Sequence, residues 1–239
     1  MIENLLGLED EHRITYNGER YDVVFDSHKK KNLRDAEEAT SLFEAVEEWL
    51  ERTPFLDFGD FNFLEEYKKS LHRMLIEEQR AIMESDHLTE EEKEMRLRML
   101  GGTDTYFHSV LNEEAHEQRV KNGELRLSYK ATIAALFINL YRDEPILHLP
   151  FKLLVTLIEI DDALTSWRYR HAQMVMRMIG NKIGTGGSSG HAYLHKTAEK
   201  HHIFKDLHGI STLMIPRSEL PDLPQELKDQ LDFNFKHEK

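Results

Sequence analysis

The residues best placed to do chemistry are a histidine and a glycine-rich loop that lie close together late in the chain. Trp167, His171, Met174, Val175 and Met178 fall at i, i+4, i+7, i+8 and i+11, which puts all five on one face of a helix. Arg168, Arg170, Gln173 and Arg177 fall elsewhere. An imidazole among apolar side chains is disfavoured as the imidazolium and keeps a lone pair to donate. A neutral ring facing a flat, soft wall of Met174, Val175 and Met178 is what a haem iron needs of its proximal ligand. The same spacing also fits, and more commonly marks, a core histidine satisfied by a backbone carbonyl.

Just beyond this face stands GTGGSSG at 184–190, which packs four of the chain's twelve glycines into seven residues. Its amides are little obstructed, and Thr185, Ser188 and Ser189 add hydroxyls, so it could wrap an anion or fold over a ligand. No Lys-Ser/Thr pair follows as in a Walker A loop, and Ser189 occupies the third glycine position of G-x-G-x-x-G. A plain linker has the same composition, but a position directly after an ordered helix favours a ligand lid. His191, His195, His201 and His202 invite a zinc reading, although no glutamate completes H-E-x-x-H and Lys196, Glu199 and Lys200 mark a solvated face.

The elements that must position these residues are helical throughout. Residues 1–32 read as an irregular lead-in, with a short extended piece about 20–25. From Leu33 a three- and four-residue apolar spacing runs through Ala39, Leu42, Phe43, Val46, Trp49 and Leu50 until Pro54 stops it. PFLDFGDFNF suits a turn, and Phe63, Leu64, Tyr67, Leu71, Met74 and Leu75 mark a second helix. Thr89-Glu90-Glu91-Glu92 has the form of a capping box, so a charged helix starts there and is expected to end at Gly101-Gly102. Residues 85–103 read as a charged, exposed insertion. A further helix is expected over 104–121, and another from Ser128 toward Pro145. Pro150 suits a helical first turn, and no proline or glycine intervenes from there to Ile179. A single central helix of about 45 Å follows, at 1.5 Å per residue. Another is expected over 192–202. No repeat and no strand series emerges: the chain reads as one all-α domain over 1–239.

Composition narrows the function classes. The 239 residues can bury a substantial core. The absence of cysteine removes disulfides, thiolate zinc sites and a cysteine nucleophile. A formal charge of −13 argues against a nucleic-acid partner. No run of apolar residues is long enough for a membrane span. The opening MIENLLGLEDEHR lacks the basic start and apolar stretch of a signal peptide, which points to the cytoplasm.

Over WRYRHAQMVMRMIGNKIGTGGSSGHAYL the sequence resembles tryptophan 2,3-dioxygenase in its animal form. The shared motifs are W-R-Y-x-H, M-V-x-R-M, the whole GTGGSSG loop and the following Y-L. They extend to WLERTP at 49–54, GELRLSYKA at 123–131 and DLHGISTLMIPR at 206–217, covering most of the chain from about 40 to 224. The resemblance implies an all-α, helical haem-dioxygenase bundle with a Gly-rich lid, using haem b and O₂ to convert L-tryptophan to N-formylkynurenine. It implies that His171 is the proximal iron ligand and that Trp167 lies one turn before it on the same side. Thr185 would contact the ammonium and carboxylate end of the substrate, flanked by Gly184 and Gly186. Trp49, Arg52, Thr53 and Pro54 resemble part of a second, non-catalytic tryptophan site, and a homotetramer is the implied assembly.

The family's distal histidine, in an H-Q-x-x-E-L-W type motif, has no counterpart here. Nor does the carboxylate-binding arginine before an S-G-F-Q-S type segment. The chain therefore reads as the C-terminal portion of such an enzyme, with no catalytic distal residue and expected to be inactive alone. The alternative is a non-catalytic helical interaction or regulatory module that associates with a full-length homologue.

Overall fold

The computed structural model describes residues 5–6, 15–16, 19–20, 39–180 and 202–232. The expected helix over 192–202 lies almost wholly outside them, as does most of the lead-in. Among the described residues the architecture is helical, with two short antiparallel strand pairs: β1 (Thr15–Tyr16) with β2 (Glu19–Arg20), and β3 (Asp57–Phe58) with β4 (Phe61–Asn62). The chain forms two compact units, Met1–Glu48 with Val155–Lys205, and Trp49–Leu154 with Asp206–Lys239. Each draws on two separate stretches of sequence.

Capping chemistry sets most helix starts. Before α1 (Leu42–Glu51), Ser41 Oγ accepts from the Glu44 amide at 3.2 Å, while the Glu44 carboxylate accepts from the Ser41 amide at 2.7 Å. This reciprocal box satisfies amides that a helix cannot bond internally, so α1 begins later than its apolar spacing alone suggests. The PFLDFGDFNF segment makes the β3–β4 hairpin, turning at Gly59 with φ of +58°. Asn62 then caps α2 (Phe63–Glu84) through the Glu65 amide at 2.8 Å. Thr89 and Glu92 form the expected box at the start of α3 (Glu90–Leu111), and their hydrogen bonds hold the Glu92 carboxyl below its ordinary range.

Two expected boundaries are corrected. Gly101-Gly102 does not end a helix: α3 runs through both, and the next break comes at Asn112 rather than after Lys121. Glycine costs about 1 kcal/mol in a helix interior, and here the box at one end and buried Phe107, Val110 and Leu111 at the other outweigh it. Asn112 interrupts because its side chain accepts from the Ala115 amide at 2.9 Å and caps α4 (Glu113–Lys121). Over 85–103 the side chains are exposed apart from partial cover at Ser85, Leu88, Lys93, Leu97 and Leu100.

The core of the second unit forms around α5 (Tyr129–Leu140), capped by Ser128 through the Ala131 amide at 3.2 Å. Phe63 packs edge-on against Phe137 at 5.0 Å and Tyr141 at 6.0 Å. Tyr67 donates to the Leu213 carbonyl and Tyr141 to that of Pro221 at 2.7 Å, tying the C-terminal stretch to the core. Asp206 accepts from the amides of Arg126 at 2.6 Å and Leu127 at 2.7 Å. That carboxylate holds α7 (Lys205–Gly209) where its chain enters this unit. A short 3₁₀ turn, Pro145–Leu147, packs on α8 (Gln225–Leu231) and leads directly into α6 (His148–Ile179).

The 32-residue α6 is the long helix expected from the sequence. It ends at Gly180, whose φ of +63° and amide bond to the Met176 carbonyl at 2.9 Å close the last turn. Its buried stripe runs through Leu154, Leu157, Asp161, Arg168 and Ala172. At 100° per residue these lie within about 40° of one line along the helix. The apolar residues of its first half are not all covered, since Leu149 and Leu153 stand out to solvent.

Candidate functional site

The face carrying His171 is not the face that the fold buries. Trp167, His171, Met174 and Met178 centre about 100° round α6 from the line through Asp161, Arg168 and Ala172. Trp167 is 59% exposed, Met174 49% and Met178 74%, while His171 and Val175 are half-buried. Large apolar side chains left this exposed cost free energy, and a row of them marks a surface suited to a ligand or partner.

Trp167 and His171, one turn apart, stack with ring centroids 5.5 Å apart and planes 7° from parallel. The stack fixes the imidazole plane, because the indole blocks rotation toward the preceding turn. Among the described residues neither ring nitrogen of His171 has a hydrogen-bond partner. The ring therefore keeps a nitrogen free to donate to a metal, with no carbonyl competing for it.

Arg168 falls off the His171 face, as its spacing has it, and is one of the few buried charged residues among those described, at 6% exposure. Its position on the helix alternates with Trp167, so α6 packs a charged side chain inward and an indole outward. This inversion runs opposite to simple amphipathic patterning.

The core histidine held by carbonyls does exist, but it is His116 on α4. It is 1% exposed, with Nδ1 at 3.2 Å from the Val110 carbonyl oxygen and Nε2 at 3.0 Å from that of Leu127. Tyr129 meets its ring edge-on at 5.6 Å and donates to the Leu111 carbonyl at 3.0 Å. Between them these two side chains cap the last carbonyls of α3, which a helix leaves open. Sequence reasoning missed His116 because EEAHEQRVK reads as a polar helix.

The second cluster assembles by local geometry. Trp49 sits in the last turn of α1, and the chain turns with Arg52 N donating to Trp49 O at 3.3 Å and Thr53 N to Leu50 O at 2.9 Å. Trp49 and Thr53 are half-buried, while Arg52 and Pro54 are exposed. Phe55, next after Pro54, adopts φ of +79°, a conformation that a bulky residue rarely holds without a reason in its surroundings. Thr185, Gly184 and Gly186 lie outside the described residues, as do His191, His195 and His201. A groove of about 260 Å³ between α2 and α3, lined by His72, Ile76, Leu97, Gly101 and Asp104 among others, includes none of the candidate site residues named from the sequence. No helix among the described residues is long and apolar enough to cross a membrane.

Comparison with known proteins agrees with the resemblance read from the motifs. A family model for tryptophan 2,3-dioxygenase matches residues 1–214. The chain is 41% identical to the tryptophan 2,3-dioxygenase of Bdellovibrio bacteriovorus, over 98% of this chain and 66% of that protein. It is 42% identical to that of Alteromonas mediterranea, over 97% of this chain and 64% of the relative. It is also 42% identical to that of Dictyostelium discoideum, over 98% and 58%. The chain thus spans between 58% and 66% of the length of these relatives.

Proposed function

Because the chain belongs to the tryptophan 2,3-dioxygenase family, we propose that it forms the iron-holding side of a haem-dependent dioxygenase that converts L-tryptophan to N-formylkynurenine. The observation that carries this reading is the unsatisfied imidazole of His171 on an exposed apolar face. The donor set fits the group: one imidazole nitrogen, bordered by an indole and two thioethers and, among the described residues, without a competing hydrogen bond.

In this reading His171 would supply the ring nitrogen that holds the iron of haem b, with Trp167 keeping the ring plane. Met174, Val175 and Met178 would lie against the bound macrocycle and exclude water from it. Bound there, haem supplies the site at which O₂ is activated. Thr185, with Gly184 and Gly186 leaving its backbone accessible, is assigned by family resemblance to the ammonium and carboxylate end of tryptophan. Trp49, Arg52, Thr53 and Pro54 are assigned in the same way to a second, non-catalytic tryptophan site. Homotetrameric assembly and a cytoplasmic location belong to the same proposal. The distal-histidine and carboxylate-arginine motifs do not occur in this sequence. Gripping and orienting the substrate therefore requires groups beyond those assigned here.

The test is a haem titration of the purified chain followed by its Soret band. The parent is expected to give a ligated ferric spectrum that His171→Ala loses, with imidazole added to solution restoring it. An identical spectrum for parent and variant removes the ligand assignment. Formation of N-formylkynurenine by the loaded chain would show that the substrate side is served without the missing motifs. Ligation without turnover would support the reading of an interaction module that associates with a full-length homologue.

A further inference from the structure

Asp161 is an unexpected residue in the buried stripe of α6: a carboxylate at 0% exposure, in line with Leu154, Leu157, Arg168 and Ala172. Taking a carboxylate out of water costs several kcal/mol unless its oxygens are satisfied. They are satisfied from far along the chain. Oδ1 accepts from the Ile203 amide at 3.0 Å and Oδ2 from the Phe204 amide at 3.0 Å. His202 Nδ1 lies 3.5 Å from Oδ2. Ile203 and Phe204 are each 1% exposed, and the Phe204 ring packs on Phe43 at 6.2 Å. Two consecutive amides on the two oxygens of one carboxylate form a bidentate clamp, and hydrogen bonds to an ionised acceptor are about twice as strong as neutral ones.

The position of the clamp gives it meaning. The chain leaves α6 at Gly180, and among the described residues beyond it Ile203 bonds back to Asp161 on the same helix. Asp161 lies about 28 Å back along the axis from Gly180 at 1.5 Å per residue, with His171 between the two points. Gly180 and Ile203, both described, are therefore both tied to the one helix that carries His171. An apolar residue at 161 would bury as well but could not accept from two amides, leaving only the packing of Ile203 and Phe204 to hold the return point.

We propose that Asp161 is a positioning residue, whose carboxylate fixes where the chain after Gly180 re-engages the His171 helix. The proposal deepens the functional reading above and rests on it for its relevance to substrate, but the clamp is measured without haem or substrate. Asp161→Asn keeps the shape and replaces one acceptor oxygen with an amide that faces an N–H donor. Leu157→Ala, in the same buried stripe at 2% exposure, serves as a control destabilised without touching the clamp.

The experiment is limited trypsin digestion of the full chain. Cleavage at Lys182, Lys196 and Lys200 is compared with cleavage elsewhere, each variant at the same interval below its own melting midpoint. Asp161→Asn is expected to raise the rate at these three sites about tenfold over the parent, and Leu157→Ala to leave it within twofold. Equal acceleration in both variants would reduce Asp161 to a general stability role, and no acceleration in Asp161→Asn would overturn the clamp. Should Asp161→Asn fail to fold, amide exchange in the parent decides. Ile203 and Phe204 must exchange at least a hundredfold more slowly than unprotected amides, and exchange at the unprotected rate refutes the proposal. If the clamp is upheld but the haem titration fails, the functional reading falls and the positioning role stands.

Discussion

Met178 allows the haem-face reasoning to be tested without touching the iron ligand. It lies two turns beyond His171, and its side chain is 74% exposed. Fully burying a methionine side chain is worth about 1.5–3 kcal/mol, and about three quarters of that transfer is still unspent in the chain. If the macrocycle covers this face, Met178→Ser forfeits about 1–2 kcal/mol of binding, a loss of about 5- to 30-fold in haem affinity at 1.4 kcal/mol per tenfold. The fold has little to lose, because exposed substitutions usually change stability by under about 0.5 kcal/mol. The melting midpoint should therefore move by no more than about 2 °C. The assay pairs a haem titration with thermal melting of the haem-free chain, and Met99→Ser on α3 serves as a comparison at 66% exposure. Met99→Ser is expected to leave affinity unchanged. An affinity for Met178→Ser within twofold of the parent, or an equal loss in Met99→Ser, would refute the assignment of this face.

Three further outcomes follow from the described packing. His116→Phe leaves the Val110 and Leu127 carbonyls without their buried partner. At about 1–3 kcal/mol for each unsatisfied group, the unfolding free energy read from urea titration should fall by about 2–6 kcal/mol, and an unchanged value would show that water replaces the ring. Gly101→Ala and Gly102→Ala place methyl groups with nothing within 4 Å inside a continuous helix. Each should stabilise by about 0.5–1 kcal/mol, read as a rise in melting midpoint for the single and double variants. Burial, with the charges of Glu113 and Glu65, pushes the Tyr129 phenol up to about 12 from 10.0. The unfolded chain therefore releases this proton first, and the associated stability is whole below pH 10 and lost as pH rises toward 12. Tyr129→Phe should flatten that decline in urea midpoints, while Tyr67 and Tyr141, shifted the same way by burial, retain theirs.

Local chemistry was legible in advance. Thr89 and Ser128 were readable as caps because an N-cap depends on residues within one turn. The long helix was readable because nothing between Pro150 and Ile179 breaks it. Gly101-Gly102 misled, since glycine's helix penalty is a local quantity while the burial of Phe107, Val110 and Leu111 that overrides it is not. Asn112 was missed for the converse reason: in a polar run an asparagine reads equally as interior or cap, and the turn there is set by the need to bring His116 inside.

By itself the sequence determined the all-α class, the family and the face on which His171 stands, because periodicity and motif spacing are properties of the chain alone. Only the tertiary structure decided which face of α6 is packed. Trp167, His171, Met174 and Met178 look like core by pattern yet stand outward, whereas Asp161 and Arg168 look like surface yet are buried. The physical reason is that burial of a charged side chain depends on its partners. Those of Asp161, the amides of Ile203 and Phe204, lie more than forty residues along the chain, where no pattern within a helix can register them.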